Sequence, residues 1–138
     1  MSDTLTTAHA FFEACETGKG WDACAPFCTS DAGFSSQAEP LAEMTTLEEY
    51  TNWMQGLLTI LENGSYEIKS FAEDPKNGSV LAFGVFTGTH TGPGGPVDPT
   101  GQTTTSDYVY AMTFTDGKIS HMIKIWHAGW AMKQLGWA

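Results

Sequence analysis

Two runs of alternating aromatic, apolar and polar residues, Ser106 to Phe114 and Ile119 to Trp126, flank the pair Asp116-Gly117. Alternation with period two marks a strand with one buried face, and Asp-Gly between two such runs is a strong hairpin signal. No other stretch constrains the fold as tightly. Register decides which side chains share a face, because a one-residue slip turns every side chain over. With a two-residue loop, Thr115 faces Lys118, and Tyr108, Tyr110 and Met112 share a face with His121, Ile123 and Ile125. With the loop Thr115-Asp116-Gly117 and Gly117 left-handed in a bulge, Phe114 faces Lys118. The same three residues then share a face with Met122, Lys124 and Trp126. The three-residue loop is expected, because Asp then Gly suits its last two positions. It makes Tyr108 the strand partner of Lys124.

The rest of the chain is read outward from this hairpin. Asp3 or Thr4 caps a first helix running to about Thr17, with Leu5, Ala8, Phe12 and Cys15 as its apolar stripe. Trp21 to Phe27 reads as a short second helix. Ser30 to Ser36 reads as a turn into a short strand, and residues 37 to 44 as a loop around Pro40. Thr46-Leu47-Glu48-Glu49 is a capping box that opens a third helix, stopped by Asn63-Gly64. Strands are expected from Ser65 to Glu73 and from Val80 to His90. Thr91 to Gly101, rich in proline and glycine, is a loop. The tail Ala128 to Ala138 has room for one or two helical turns.

Helices followed by strands mean α+β: three N-terminal helices packed on a curved antiparallel sheet, in one domain spanning residues 1–138. A sheet with helices on one face leaves the other open. The expected register puts Val109, Ala111, Ile119, Ile123 and Ile125 there. An apolar stripe of that size normally meets a partner, so a homodimer packed sheet to sheet is expected.

Composition narrows the function. A net charge of −10 argues against nucleic acid and against anionic membranes. No apolar run approaches the length of a membrane span. The first residues, MSDTLTT, have neither a basic nor an apolar signal region, so the cytoplasm is the expected compartment. Three cysteines, an odd number, suit a reducing environment. Cys24, Cys28 and His9 form only a weak metal signal without a second ligand pair, and no metal is expected.

Several short motifs point to a family. Phe86-Thr87-Gly88-Thr89-His90-Thr91-Gly92, Pro99-Thr100-Gly101, Asp116-Gly117-Lys118-Ile119 and Gln134-Leu135-Gly136 resemble, in order and spacing, the SnoaL-like polyketide cyclases, or ester cyclases. Three helices, a short strand and a four-strand meander likewise resemble the NTF2-like cone. The resemblance implies a conical cavity between the helices and the concave sheet. It implies a polycyclic polyketide ester as substrate and an aldol ring closure without metal or cofactor. The cyclases carry a proton-transferring aspartate near the end of the last strand. Residues 119–127 here hold no carboxylate, and Lys124 takes that place. In ketosteroid isomerases, which share the fold, the general base corresponds to Ser36 and the oxyanion-hole acid falls near Tyr110. A serine is no base at neutral pH without an activating neighbour.

Lys124 is the sharpest candidate. Among Tyr108, Tyr110, Met122 and Trp126 it would lose water, and that favours a neutral, nucleophilic amine. The plain alternative is a charged lysine at the cavity mouth with its stem on Trp126. His90, at a strand end beside the loop, is either a proton shuttle or a brace for the rim. Tyr108 and Tyr110 offer hydroxyls to a carbonyl or enolate, unless they are ordinary core. Asp107 faces outward in the expected register and becomes the best base in the other. His121 and His127 face out. Trp53 walls the pocket or packs the core. The catalytic set is thus Lys124, Tyr108 and His90, and the ligand set is Tyr110, Met122, Trp126, Trp53 and Ser36. The expected function is cofactor-independent cyclase or isomerase-type chemistry on a small hydrophobic carbonyl compound. The alternative is a module that binds such a compound without catalysis.

Overall fold

A computed structural model describes residues 2–138. Helix α1 (Asp3–Glu16) opens at Ser2, whose side chain accepts from the Leu5 amide. The cap therefore lies one residue before Asp3. Helix α2 (Trp21–Cys24) runs into a 3-10 turn at Ala25–Phe27, where Pro26 accommodates the tighter winding. Strand β1 (Cys28–Ser36) and a 3-10 turn at Glu39–Leu41 lead to helix α3 (Leu47–Ile60). The capping box at Thr46 is present in full, with the Glu49 side chain returned to the cap backbone. Strands β2 (Ser65–Asp74), β3 (Ser79–Thr89), β4 (Thr103–Thr115) and β5 (Lys118–Trp126) follow, and helix α4 (Ala128–Leu135) ends the fold. The tail is thus a full fourth helix.

The strand order is β1-β5-β4-β3-β2. The class is α+β as expected, but the sheet is mixed. β1 pairs with β5 in parallel, whereas the other neighbours are antiparallel. The chain reaches β1 before it has made the meander, and β1 then docks on the meander's last strand. Gly33 makes this possible, because a Cβ there would stand 2.6 Å from Nδ1 of His121.

The hairpin departs from expectation in an instructive way. Thr115 pairs with Lys118, so the loop is only Asp116-Gly117. Both loop residues have positive φ, 51° and 81°, which the hairpin's right-handed twist favours. The register then slips by one, since Phe114 pairs with Ile119 but Thr113 with His121. Ser120 is the extra residue of a bulge. Its hydroxyl accepts from Thr115 at 2.9 Å and donates to the Thr113 carbonyl at 3.3 Å. Beyond the bulge, Met112, Tyr110 and Tyr108 lie opposite Met122, Lys124 and Trp126. The expected face is correct, but Lys124 pairs with Tyr110, not Tyr108. Ile119, expected outside, is fully buried because it precedes the bulge.

The core lies between the concave sheet face and helices α1 and α3. Phe12 of α1 packs on Tyr66, Phe71, Tyr108 and Tyr110. Tyr50 of α3 stacks on Phe34 of β1 at 4.5 Å. The convex face keeps Leu81, Ile123 and Ile125 exposed, at 50%, 43% and 61%.

Candidate functional site

A cavity of about 500 Å³ lies inside the cone. β4 and β5 contribute Tyr108, Lys124 and Trp126, α3 contributes Trp53, Met54 and Leu57, and α1 contributes Glu16. Helix α4 closes one side with Met132 and Leu135. It ends at left-handed Gly136, and the Trp137 amide returns to the Met132 carbonyl at 2.8 Å. This cap swings Trp137 into the cavity wall. The volume falls within the range of small-molecule sites, and the wall is mostly apolar with a few convergent polar groups.

Lys124 is 6% exposed. Its Nζ lies 4.3 Å from the centre of the Trp126 ring, 5.1 Å from Tyr50, 5.4 Å from Trp53, 5.5 Å from Tyr108 and 6.0 Å from Tyr110. Five ring faces favour the ammonium, while loss of water disfavours it. Burial wins, and the lysine is pushed down to about 8, with the Glu16 charge pulling the other way.

Glu16 was not anticipated. The sequence pattern left the face around Lys124 without a carboxylate, and α1 supplies one. Glu16 is 3% exposed, and burial raises its carboxyl above the ordinary range, against the pull of Lys124 and of the Tyr108 and Tyr110 hydroxyls. Tyr110 donates to Glu16 Oε2 at 2.8 Å, and the Tyr50 and Tyr110 hydroxyls meet at 2.5 Å. Lys69–Glu67 is the single ion pair among the described residues, so Lys124 and Glu16 interact without touching. A signal for Glu16 did exist: it follows Phe12 by four residues and so continues the buried stripe of the helix.

The Tyr108 hydroxyl is buried close enough to Glu16 to favour its carboxylate, without completing a hydrogen bond. Gly84 on β3 makes room for it, since a Cβ there would meet the hydroxyl at 2.8 Å. Burial pushes its ionisation far up, so the hydroxyl stays neutral.

The other sequence candidates are placed differently. Tyr110 and Met122 lie behind the wall, fully buried. Ser36 spends its hydroxyl on the Lys124 carbonyl at 2.9 Å and accepts from the Ala38 amide, so it holds the β5 backbone that carries Lys124. His90 is fully buried. Its Nδ1 accepts from Trp137 Nε1 at 2.9 Å and from the Thr100 amide at 3.4 Å, while Nε2 has no partner. His90 therefore ties the 91–101 loop to Trp137. Asp107 and His127 are exposed, and the half-buried His121 bonds Ser35 Oγ at 3.1 Å. His9 stacks on Phe71, and the Cys24 thiol faces that of Cys15. Among the described residues no group of three or more His, Cys, Asp or Glu is arranged to hold a metal ion.

The sequence profile of the SnoaL-like polyketide cyclases matches residues 6–135. The chain belongs to this family. Among solved structures, this SnoaL-like chain is similar to AclR, a candidate hydroxylase from Streptomyces galilaeus, at 20% identity and TM-score 0.79, covering 100% of this chain and 87% of that one. It is similar to TerC, co-crystallized with polyporic acid, at 17% identity and TM-score 0.73, covering 98% and 99%. An NTF2-like protein from Burkholderia pseudomallei K96243 matches at 14% identity and TM-score 0.75, covering 98% of each. These likenesses establish the NTF2-like fold. No curated protein matches the sequence. Lys124 of β5 and Glu16 of α1 line the same cavity.

Proposed function

We propose that this SnoaL-like protein binds a fused-ring or aryl carbonyl compound and catalyses proton transfer at the carbon beside the carbonyl, without a cofactor. The observation that carries this reading is the pairing of Glu16 and Lys124 in one cavity wall. Burial moves their proton affinities towards each other, the carboxyl upward and the amine down to about 8. Titratable groups pushed in opposite directions within one apolar site are the usual signature of acid–base work. Glu16 takes the proton from carbon, the Tyr108 hydroxyl donates to the carbonyl oxygen, and the Lys124 ammonium stabilises the enolate. The polyporic acid in TerC supports an aromatic, oxygenated ligand for a cavity of this shape.

A binding module without catalysis is the second reading, favoured by the absence of a carboxylate on β5. Two measurements with 2-acetylnaphthalene separate them. Quenching of tryptophan fluorescence reports binding beside Trp53, Trp126 and Trp137. Proton NMR in D2O reports exchange of the acetyl protons. Exchange above the buffer rate, slowed at least about tenfold in Glu16→Gln, supports catalysis. Binding without exchange leaves the module, and neither signal overturns both readings.

The exposed Leu81, Ile123 and Ile125 support a homodimer joined sheet to sheet. Three unbridged, buried cysteines support a cytoplasmic setting. No helix of the described residues is long and apolar enough to cross a membrane.

A further inference from the structure

We propose that Lys124 is a covalent nucleophile, which joins the carbonyl carbon of an aldehyde or ketone ligand as an imine while Glu16 moves the protons. This rests on the cavity being a site for a hydrophobic carbonyl compound, and it puts a covalent bond from Lys124 in place of the ammonium contact.

The geometry argues for attack rather than for charge alone. A lysine meant only as a counter-ion would lie against a carboxylate, but Lys124 is boxed by rings and makes no ion pair. Its backbone is held by Ser36 through the carbonyl and by Tyr110 through the ladder, so the stem enters the box in one direction. Lys124 lines the cavity together with Glu16, and its amine lies 5.5 Å from the centre of the Tyr108 ring. Burial leaves roughly a tenth of the side chains neutral at pH 7, far more than for an ordinary lysine. All six basic residues of the chain are lysines, and the other five, at positions 19, 69, 76, 118 and 133, are exposed.

The step balances without any outside reagent. The nitrogen lone pair forms the C–N bond, the carbonyl π pair moves to oxygen, and the proton lost from nitrogen passes to that oxygen. Glu16 in its protonated form then donates its proton to the carbinolamine hydroxyl, the C–O bond breaks, and one water leaves. An iminium remains beside the Glu16 carboxylate. That carboxylate removes a proton from the adjacent carbon, and the C–H pair becomes the double bond of an enamine. Water reverses the sequence and frees Lys124. The ligand class is thereby narrowed to aldehydes and ketones bearing hydrogen on the neighbouring carbon. Esters and acids form no imine here.

The test is borohydride reduction of the wild-type protein with 2-acetylnaphthalene at pH 7, followed by peptide mass mapping. One reduced adduct per chain is expected on Lys124, at least tenfold above any of the five exposed lysines. Lys124→Arg, with its fold checked by circular dichroism, should lose that adduct. Fluorescence quenching by the probe with Lys124 labelled no faster than the exposed lysines overturns the imine and leaves the proton-transfer reading standing. Absence of quenching and of acetyl exchange overturns both. The wild-type map decides the matter even where the arginine variant does not fold.

Discussion

Tyr110 donates a 2.8 Å hydrogen bond to Glu16, joining the centre of the sheet to the last turn of the first helix. This contact explains why a carboxylate tolerates the core. Removing one partner of a buried hydrogen bond costs roughly 1–3 kcal/mol. Tyr110→Phe should therefore lower the unfolding free energy by about that amount, measured with urea. The lost donor had favoured the carboxylate, so Glu16 should become harder to ionise. The acid limb of any proton-exchange profile should move to higher pH.

Lys124→Met should stabilise the protein at neutral pH. Burial lowers this lysine from 10.5 to about 8, so the unfolded chain binds more protons between those values. Stability must therefore rise as pH climbs from about 8 towards 10.5, and the penalty is fully present below 8. The shift corresponds to at most roughly 3 kcal/mol. The variant should exceed wild type by up to that amount at pH 7 and lose its advantage above pH 10.5. Urea midpoints across this window check the sign. A variant less stable than wild type at pH 7 would show that the ring faces outweigh burial.

His90→Phe should loosen the closure of the cavity. The substitution removes the acceptor used by Trp137 and by the Thr100 amide. An indole N–H left unpaired in a half-buried place costs at most about 1–3 kcal/mol. Hydrogen exchange should quicken in residues 91–101 and around Trp137, with little change in β4 and β5. Unchanged protection in that loop would remove His90 as its anchor.

Ile123→Glu should separate the proposed dimer. The side chain is 43% exposed, so the charge does not enter the core of the single chain. Light scattering at micromolar concentration should give twice the chain mass for wild type and a soluble single chain or an aggregate for the variant. A wild type that scatters as a single chain would remove the dimer.

The hairpin face, the capping box at Thr46 and the α+β order were legible because each depends on local geometry. Alternation puts every second residue on one side, and a capping box needs only four consecutive residues. The loop length was read wrongly, because Asp116-Gly117 serves both loop types and neither announces a bulge at Ser120. Ser120 restored the expected face through the Thr113 and Thr115 contacts. Local pattern therefore determined that Tyr108, Lys124 and Trp126 would meet, but not that Tyr110 would be the partner of Lys124 or that Ile119 would turn inward. The parallel docking of β1 on β5, the His90 clasp and above all Glu16 were decided by the tertiary structure. Glu16 stands 94 residues from Tyr110 along the chain. Nothing in the period of a helix says which strand its buried face will meet. Burial is a property of the whole packed chain, and it is burial that raises the carboxyl of Glu16 and lowers the amine of Lys124.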